Sequence, residues 1–274
     1  MHRSTHRPPR AARLLACGLL LLLAALRPGP ARALEGLPFC AGERLVYTLR
    51  WAALTAGESS IEVLPPTEVD GTPALHFRMR ARTTEFVDFF YKVRDRVDAF
   101  TDTGLNRSLL YLKEQREGSY ERDITVRFDW DRFKARYSNT VNGPKEPIGV
   151  YPGTFDPLSV FYAFRVMPLK VGATVLRPVT DGVKCVLGRA TVLGRETVEV
   201  PAGTFDCYLV EPDLSHVGGV FRKSPGAALR IWVTADARRI PVRISSKVVV
   251  GSFHALLTEI QGPEDCYAQA APAP

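Results

Sequence analysis

The chain of 274 residues carries few of the signals by which enzymes announce themselves. Five histidines occur, and the three beyond residue 33 (His76, His216 and His254) have no partner nearby in sequence that would make any of them a general base. There is no Gly-x-Ser-x-Gly elbow. There is no phosphate-cradling glycine loop, no dinucleotide fingerprint and no His-Glu-x-x-His. No two cysteines have the close spacing of a metal knuckle, so zinc is not expected. No cofactor is expected either, and the residues give no reason to expect an enzyme. Beyond residue 33 no apolar run is long enough to span a bilayer, so an integral membrane protein is not expected. No internal linker or repeat interrupts that part of the chain.

What is present begins with a processing signal. Arg3, Arg7, Arg10 and Arg13 precede an uncharged apolar run, Leu14 to Leu26, and Ala31-Arg32-Ala33 offers small residues where a signal peptidase reads. Cleavage is expected after Ala33. Cys17 sits in a faint lipoprotein-like context, but only three apolar residues lead into it and the run continues past it, so lipidation there is the weaker reading. The formal net charge is +7, yet six of the 36 basic residues and none of the 29 acidic ones lie before residue 34. The exported chain is therefore nearly balanced in charge, and nucleic-acid binding loses its electrostatic support.

Cys40, Cys185, Cys207 and Cys266 remain, an even number in an exported chain. Four cysteines allow three pairings, which sequence alone does not choose between. A Cys40–Cys266 staple between the ends is the attractive one, and it would leave Cys185 to pair with Cys207. The Ala/Pro tail from Ala268 to Pro274 is expected to be disordered. Residues 34–267 read as one domain.

The dominant period is two, the mark of strands with one buried face. Glu43–Trp51, Ser59–Leu64, Pro73–Arg82, Lys92–Thr101, Leu109–Arg116, Tyr120–Trp130 and Phe133–Asn139 read as strands. Ala173–Thr180, Val183–Leu193, Thr197–Val200, Phe205–Glu211, Leu229–Thr234, Arg239–Ser245 and Phe253–Ile260 continue the series. Asp70-Gly71, Asp181-Gly182 and Pro201-Ala202-Gly203 supply turn chemistry. A meander this long must curl. The fold expected is all-β and mainly antiparallel, a strongly curved sheet rolled towards a barrel with one short helix packed against it. Pro241 cannot donate to a ladder and marks an edge or a bulge. Arg238, Arg239 and Arg243 beside it read as a solvated basic face rather than an anion site.

The helix lies in "GTFDPLSVFYAFR". Asp156 suits an N-cap, Pro157 the first helical position, and Pro168 the end, about ten residues later. Val160, Phe161 and Phe164 share a face with Pro157. The helix is expected to plug the core; the sharper alternative has Phe161, Tyr162 and Phe164, with Trp51, lining a ligand cavity. A second aromatic run, Phe86, Phe89, Phe90 and Tyr91, follows Thr84 as a cap. Burial is the expectation, and a binding patch the alternative. Glu85, Asp88, Asp95 and Asp98, interleaved with Lys92, Arg94 and Arg96, read as cross-strand charge pairs.

Together, "GERLVYTLRWAALTAGESSIEV", "FYKVRDRVDAF", "DPLSVFYAFRVMPLKVG", "VPAGTFDCYLVEP" and "RIWVTADARRIPVRI" resemble the blocks of a bacterial exported family of unknown function. The resemblance runs from about Phe39 to Ile260. It implies a β-rich periplasmic domain in a Gram-negative bacterium, similar in plan to envelope-integrity proteins with a spiral sheet. It brings no catalytic residues. The function expected is non-enzymatic, the binding of an envelope lipid or glycan in the concave face of the sheet in support of envelope integrity. The alternative is a scaffold that binds an envelope protein through an edge strand or the aromatic patch.

Overall fold

The computed structural model describes residue 34, residues 36–215, 226–248 and 251–263, and residue 266. The leader with Cys17, its cleavage point, His216 and the Ala268–Pro274 tail lie outside the described residues.

The strands are β1 (Arg44–Trp51), β2 (Leu54–Val69), β3 (Thr72–Thr83), β4 (Arg94–Asp102), β5 (Ser108–Glu117), β6 (Tyr120–Asp129), β7 (Lys134–Asn139), β8 (Gly143–Pro144) and β9 (Ile148–Gly149). They continue with β10 (Thr174–Thr180), β11 (Cys185–Val200), β12 (Gly203–Pro212), β13 (Ala228–Thr234), β14 (Pro241–Val248) and β15 (Gly251–Gln261). Two helices interrupt them, α1 (Glu85–Asp88) and α2 (Ser159–Arg165). All the strands join one sheet, in the order β10 to β15, then β1 to β8, with β9 beside β7. Every pairing of these strands is antiparallel. No helix among the described residues is long and apolar enough to cross a membrane.

The alternation behind this is plain in β3. Leu75 and Phe77 are fully buried, while His76, Arg78 and Arg80 between and beyond them carry the polar face. The hairpin turns follow their chemistry. Asp70 and Gly71 both take positive φ (51° and 78°), and Gly203 takes φ 135°. Two expected strands, Val183–Leu193 and Thr197–Val200, are one strand, β11, carried through a register shift between Val192 and Gly194. A bulge lets one strand bend without ending, which is why sequence breaks it in two. Pro241 faces Val233 at another register shift, inside the sheet rather than at its edge.

The curled sheet stays open, with no ladder between its edge strands. Residues 154–156 form a seam between β5 and β10 instead. Ser108 N–H at the start of β5 donates to Thr154 O (3.1 Å). Phe155 forms a parallel bridge with Val179 of β10, its N–H donating to Pro178 O and its carbonyl accepting from Thr180 N–H, both at 2.9 Å. The β10–β11 turn presses on the other end of the sheet. A Cβ at Gly182 would lie 2.6 Å from Val126 Cγ2 and 3.0 Å from the Tyr137 ring.

α2 fills the interior. Tyr162 is fully buried and stacked on Phe77 (centroids 3.9 Å apart, 13° between planes), and Phe39 packs edge-on to both rings. Arg165, also buried, forks onto the Glu43 carboxylate at the entrance to β1, 122 residues away. It also donates to Pro38 O and Arg238 O (each 3.1 Å) and lies over the Phe39 ring. A buried ion pair is tolerable only when its remaining polar atoms are satisfied in this way.

Cys40 and Cys266 form a disulfide with Cα atoms 5.3 Å apart, joining the ends of the domain. The expected Cys185–Cys207 bond is absent, and both thiols are free. The reason is register. Cys207 pairs with Glu196, eleven positions along β11 from Cys185. A strand rises about 3.3 Å per residue, which separates the two cysteines by roughly 35 Å along the ladder, far outside bonding reach.

Candidate ligand groove

Asp156 is a cap, but not at the expected place. The helix starts at Ser159, and Leu158 is its formal N-cap with no side-chain bond. Asp156 caps the preceding turn instead: Oδ1 accepts from Leu158 N–H (2.9 Å) and Ser159 N–H (2.8 Å), and Oδ2 accepts from Ser108 Oγ (2.5 Å). Burial raises its pKa, outweighing these bonds, which act in the opposite direction. The regular helix is consequently seven residues long rather than about ten.

Successive helical residues point about 100° apart, so the α2 register divides its aromatics. Pro157, Val160, Phe161 and Phe164, the face read from the sequence, line a groove of about 400 Å³ between the helix and β10–β14. Its other wall carries Val175 and Val179 of β10, Val186 and Ala190 of β11, Val210 of β12, and Ile231 and Val233 of β13. Register explains the wall. Val175 opposes Ala190, Val179 opposes Val186 and Val210 opposes Ile231, so the apolar side chains meet on one face. A concave, mainly apolar space of this size is the usual form of a small-molecule site.

Guanidinium groups are the principal polar groups of the lining. Arg165 is engaged with Glu43. Arg177 donates from Nη1 to Leu176 O at 3.0 Å. Arg239 donates to Ala235 O (2.5 Å) and Thr234 O (3.5 Å) and lies over the Tyr208 ring. Arg189 and Asp213 complete the charged lining. An arginine stays protonated and offers no acceptor, so these groups can orient an anion but not remove a proton. None of Arg165, Arg177, Arg189, Arg239 or Asp213 was singled out as lining by the sequence. A charged residue inside an alternating strand reads as solvent-facing unless the opposite wall is known.

Two residues expected in the lining lie elsewhere. Tyr162 belongs to the core, one helical step from Phe161. Trp51 stacks on Phe253 at the β1–β2 hairpin, outside the groove (centroids 6.2 Å, 7°). The second aromatic run also departs from the expectation of burial. Phe89 is 86% exposed, and Phe86, Phe90 and Tyr91 are exposed with it. Thr84 does cap this turn, accepting from Val87 N–H, and Arg94 pairs with Asp88. The turn projects from the end of the β3–β4 hairpin, where no described element covers it, and the phenylalanines pack edge-on only against one another.

Two members of the acidic series form the expected charge pairs, Asp88 with Arg94 and Asp98 with its neighbours, while Asp95 accepts from Arg116 N–H (2.9 Å) and Glu85 forms no ion pair among the described residues. Asp98 accepts from Arg78 Nε (2.7 Å) and Arg96 Nε (2.6 Å), and His76 Nε2 lies 2.6 Å away. Burial alone would raise its pKa, but these three neighbours outweigh it and hold the carboxyl well below the ordinary range. His254 Nδ1 lies 2.8 Å from Ser245 Oγ, directly across the β14–β15 ladder. Burial, then Arg243 and Arg50, lower its pKa, and no carboxylate among the described residues hydrogen-bonds to its ring. Burial pushes the Cys207 thiol up to about 12, so it is inert at neutral pH.

These elements coincide with a known family. Residues 46–258 match the model of a protein family of unknown function, DUF3108. The chain belongs to the DUF3108 family. Comparison with curated proteins finds no match. Among solved structures, a β-barrel-like protein of a different family of unknown function, DUF1849, from Brucella abortus shares the fold, with a TM-score of 0.54 at 9% identity over 82% of this chain and 99% of that one. A protein with a YmcC-like fold from Bacteroides fragilis matches with a TM-score of 0.37 at 11% identity over 82% and 97% of the two chains.

Proposed function

We propose that this DUF3108 protein is a non-enzymatic binding protein, exported to the periplasm of a Gram-negative bacterium, that holds the apolar chain of an envelope lipid between α2 and β10–β14. The observation that carries the reading is the groove itself, with aliphatic and aromatic side chains on both walls. Of the two ligand classes expected from sequence, the lining favours lipid over glycan. A glycan presents many hydroxyls that need polar partners, and Phe161, Phe164, Val175, Val210 and Ile231 offer none. The leader supports export, and a role in envelope integrity follows only if the bound chain belongs to an envelope lipid. Native mass spectrometry of protein gently purified from its envelope tests this. The reading expects a co-purifying lipid-sized mass that an Ala190→Trp variant loses. Protein that carries no adduct and gains none from added lipid extract would overturn it.

A second reading has its own observation, the exposed Phe86–Tyr91 turn. Contiguous apolar surface of this kind marks interaction sites, and here the partner proposed is another envelope protein. Because these rings contribute nothing to the core, Phe89→Asp with Phe90→Asp is expected to leave the melting temperature within about 2 °C of wild type, while in-cell crosslinks to the partner disappear. A large loss of stability would instead place the rings in the core and end this reading.

A further inference from the structure

We infer that the groove takes an amphiphile with an acidic headgroup, a carboxylate or a phosphate monoester, read by Arg177, with Arg239 adding positive charge farther along the same wall. The inference rests on the groove being a lipid-chain site and specifies which chains it accepts.

Arg177 sits on β10 between Val175 and Val179, on the face that lines the groove. Arg177 is half-buried there, its aliphatic stem along the valines. Its one hydrogen bond is to the carbonyl of its neighbour Leu176, and no carboxylate among the described residues forms an ion pair with it. The residue directly opposite is Gly188, where a Cβ would lie 3.1 Å from Arg177 O and 3.4 Å from Val179 Cγ2. Gly188 thus keeps the ladder free of a side chain next to Arg177.

Arg239 approaches from the turn before β14. It holds φ 49°, the left-handed conformation that Ala52, Asp70, Leu105 and Phe133 also take at turns. Its guanidinium contacts only backbone carbonyls and the face of Tyr208. The other lining cation of the helix, Arg165, is neutralised by Glu43. Asp213, the acidic member of the lining, lies past the end of β12. Arg189 borders the groove too, but it pairs with Leu176, so its side chain leaves the ladder on the opposite face from Arg177. The groove therefore keeps a surplus of positive charge contributed by two arginines, and guanidinium is the side chain best matched to carboxylate and phosphate.

The test compares dodecanoate, dodecyl phosphate and dodecanol, which share one chain, by calorimetric titration of the purified full domain below micelle formation. Both acids are expected to bind at least tenfold more tightly than the alcohol, and the stronger of the two identifies the headgroup. Arg177→Gln should cost each acid about tenfold and leave dodecanol unchanged. Arg177→Lys should recover part of the loss, which a merely structural role would not produce. Arg239→Gln should weaken both acids less than Arg177→Gln does, its melting curve reporting separately on the turn. Equal binding of acids and alcohol, with Arg177→Gln indifferent, would refute the headgroup preference and leave the groove as a neutral chain site. No binding by any of the three would overturn both readings.

Discussion

Arg165 and Glu43 show how far one side chain can reach in this molecule. The pair is almost wholly excluded from solvent and links the only long helix among the described residues to the first strand. Removing one partner strands a buried charge, so Arg165→Met is expected to cost about 3–5 kcal/mol in denaturant unfolding. Glu43→Met combined with Arg165→Met should recover much of that loss, because two apolar side chains leave no charge unpaired. Asp98 makes a pH-dependent contribution of the opposite kind, on the polar face of β3 and β4. Its pKa is depressed in the fold, so its stabilisation is present above the unfolded value of about 3.9 and is lost as pH falls below it. The stability gap between wild type and Asp98→Asn should be open at pH 7 and shrink steadily below about pH 4. Neither role was legible as such. The sequence marks Asp98 as one of a charge series but not as its buried member, and it leaves Glu43 and Arg165 as ordinary polar residues.

At the scale of elements the reading from sequence was closer. Period-two alternation places most strands to within three residues, because one buried face per strand leaves that imprint directly, but β2 reads five residues short at each end and β8 and β9 go unread. The bulge at Pro241 is marked by its proline, but the one straddled by Val192 and Gly194 is not: the extra residue breaks the period, so β11 reads as two strands. The helix was found from Asp156-Pro157, yet its register was set by the buried contact of Asp156 with Ser108, 48 residues away. That register decided which aromatics face the groove, Phe161 and Phe164, and which enters the core, Tyr162. Seam closure is likewise a tertiary event that turn chemistry only hints at. Gly182 holds φ 84° against Val126 and Tyr137. Gly182→Ala should therefore destabilise the protein by roughly 2–4 kcal/mol, combining left-handed strain with overpacking. Hydrogen exchange should show the loss concentrated at β10 and residues 154–156. Exchange that is unchanged there would mean the seam does not depend on this contact.

For the molecule as a whole, two surfaces of the curled antiparallel sheet bear on function. One is the groove between α2 and β10–β14, apolar on its walls and basic at Arg177 and Arg239. The other is the aromatic turn at the end of β3. The Cys40–Cys266 disulfide ties the chain ends together without touching either. The account stands or falls on the groove, and the most direct measurement is titration of a polarity-sensitive fluorescent fatty acid into the wild type and into Ala190→Trp. Ala190 opposes Val175 on the wall, so the indole would occupy the chain's place. The account predicts saturable binding with blue-shifted emission in the wild type, and at least a tenfold loss in a variant whose melting temperature is retained. Equal binding by the two proteins, or none by the wild type, would contradict it.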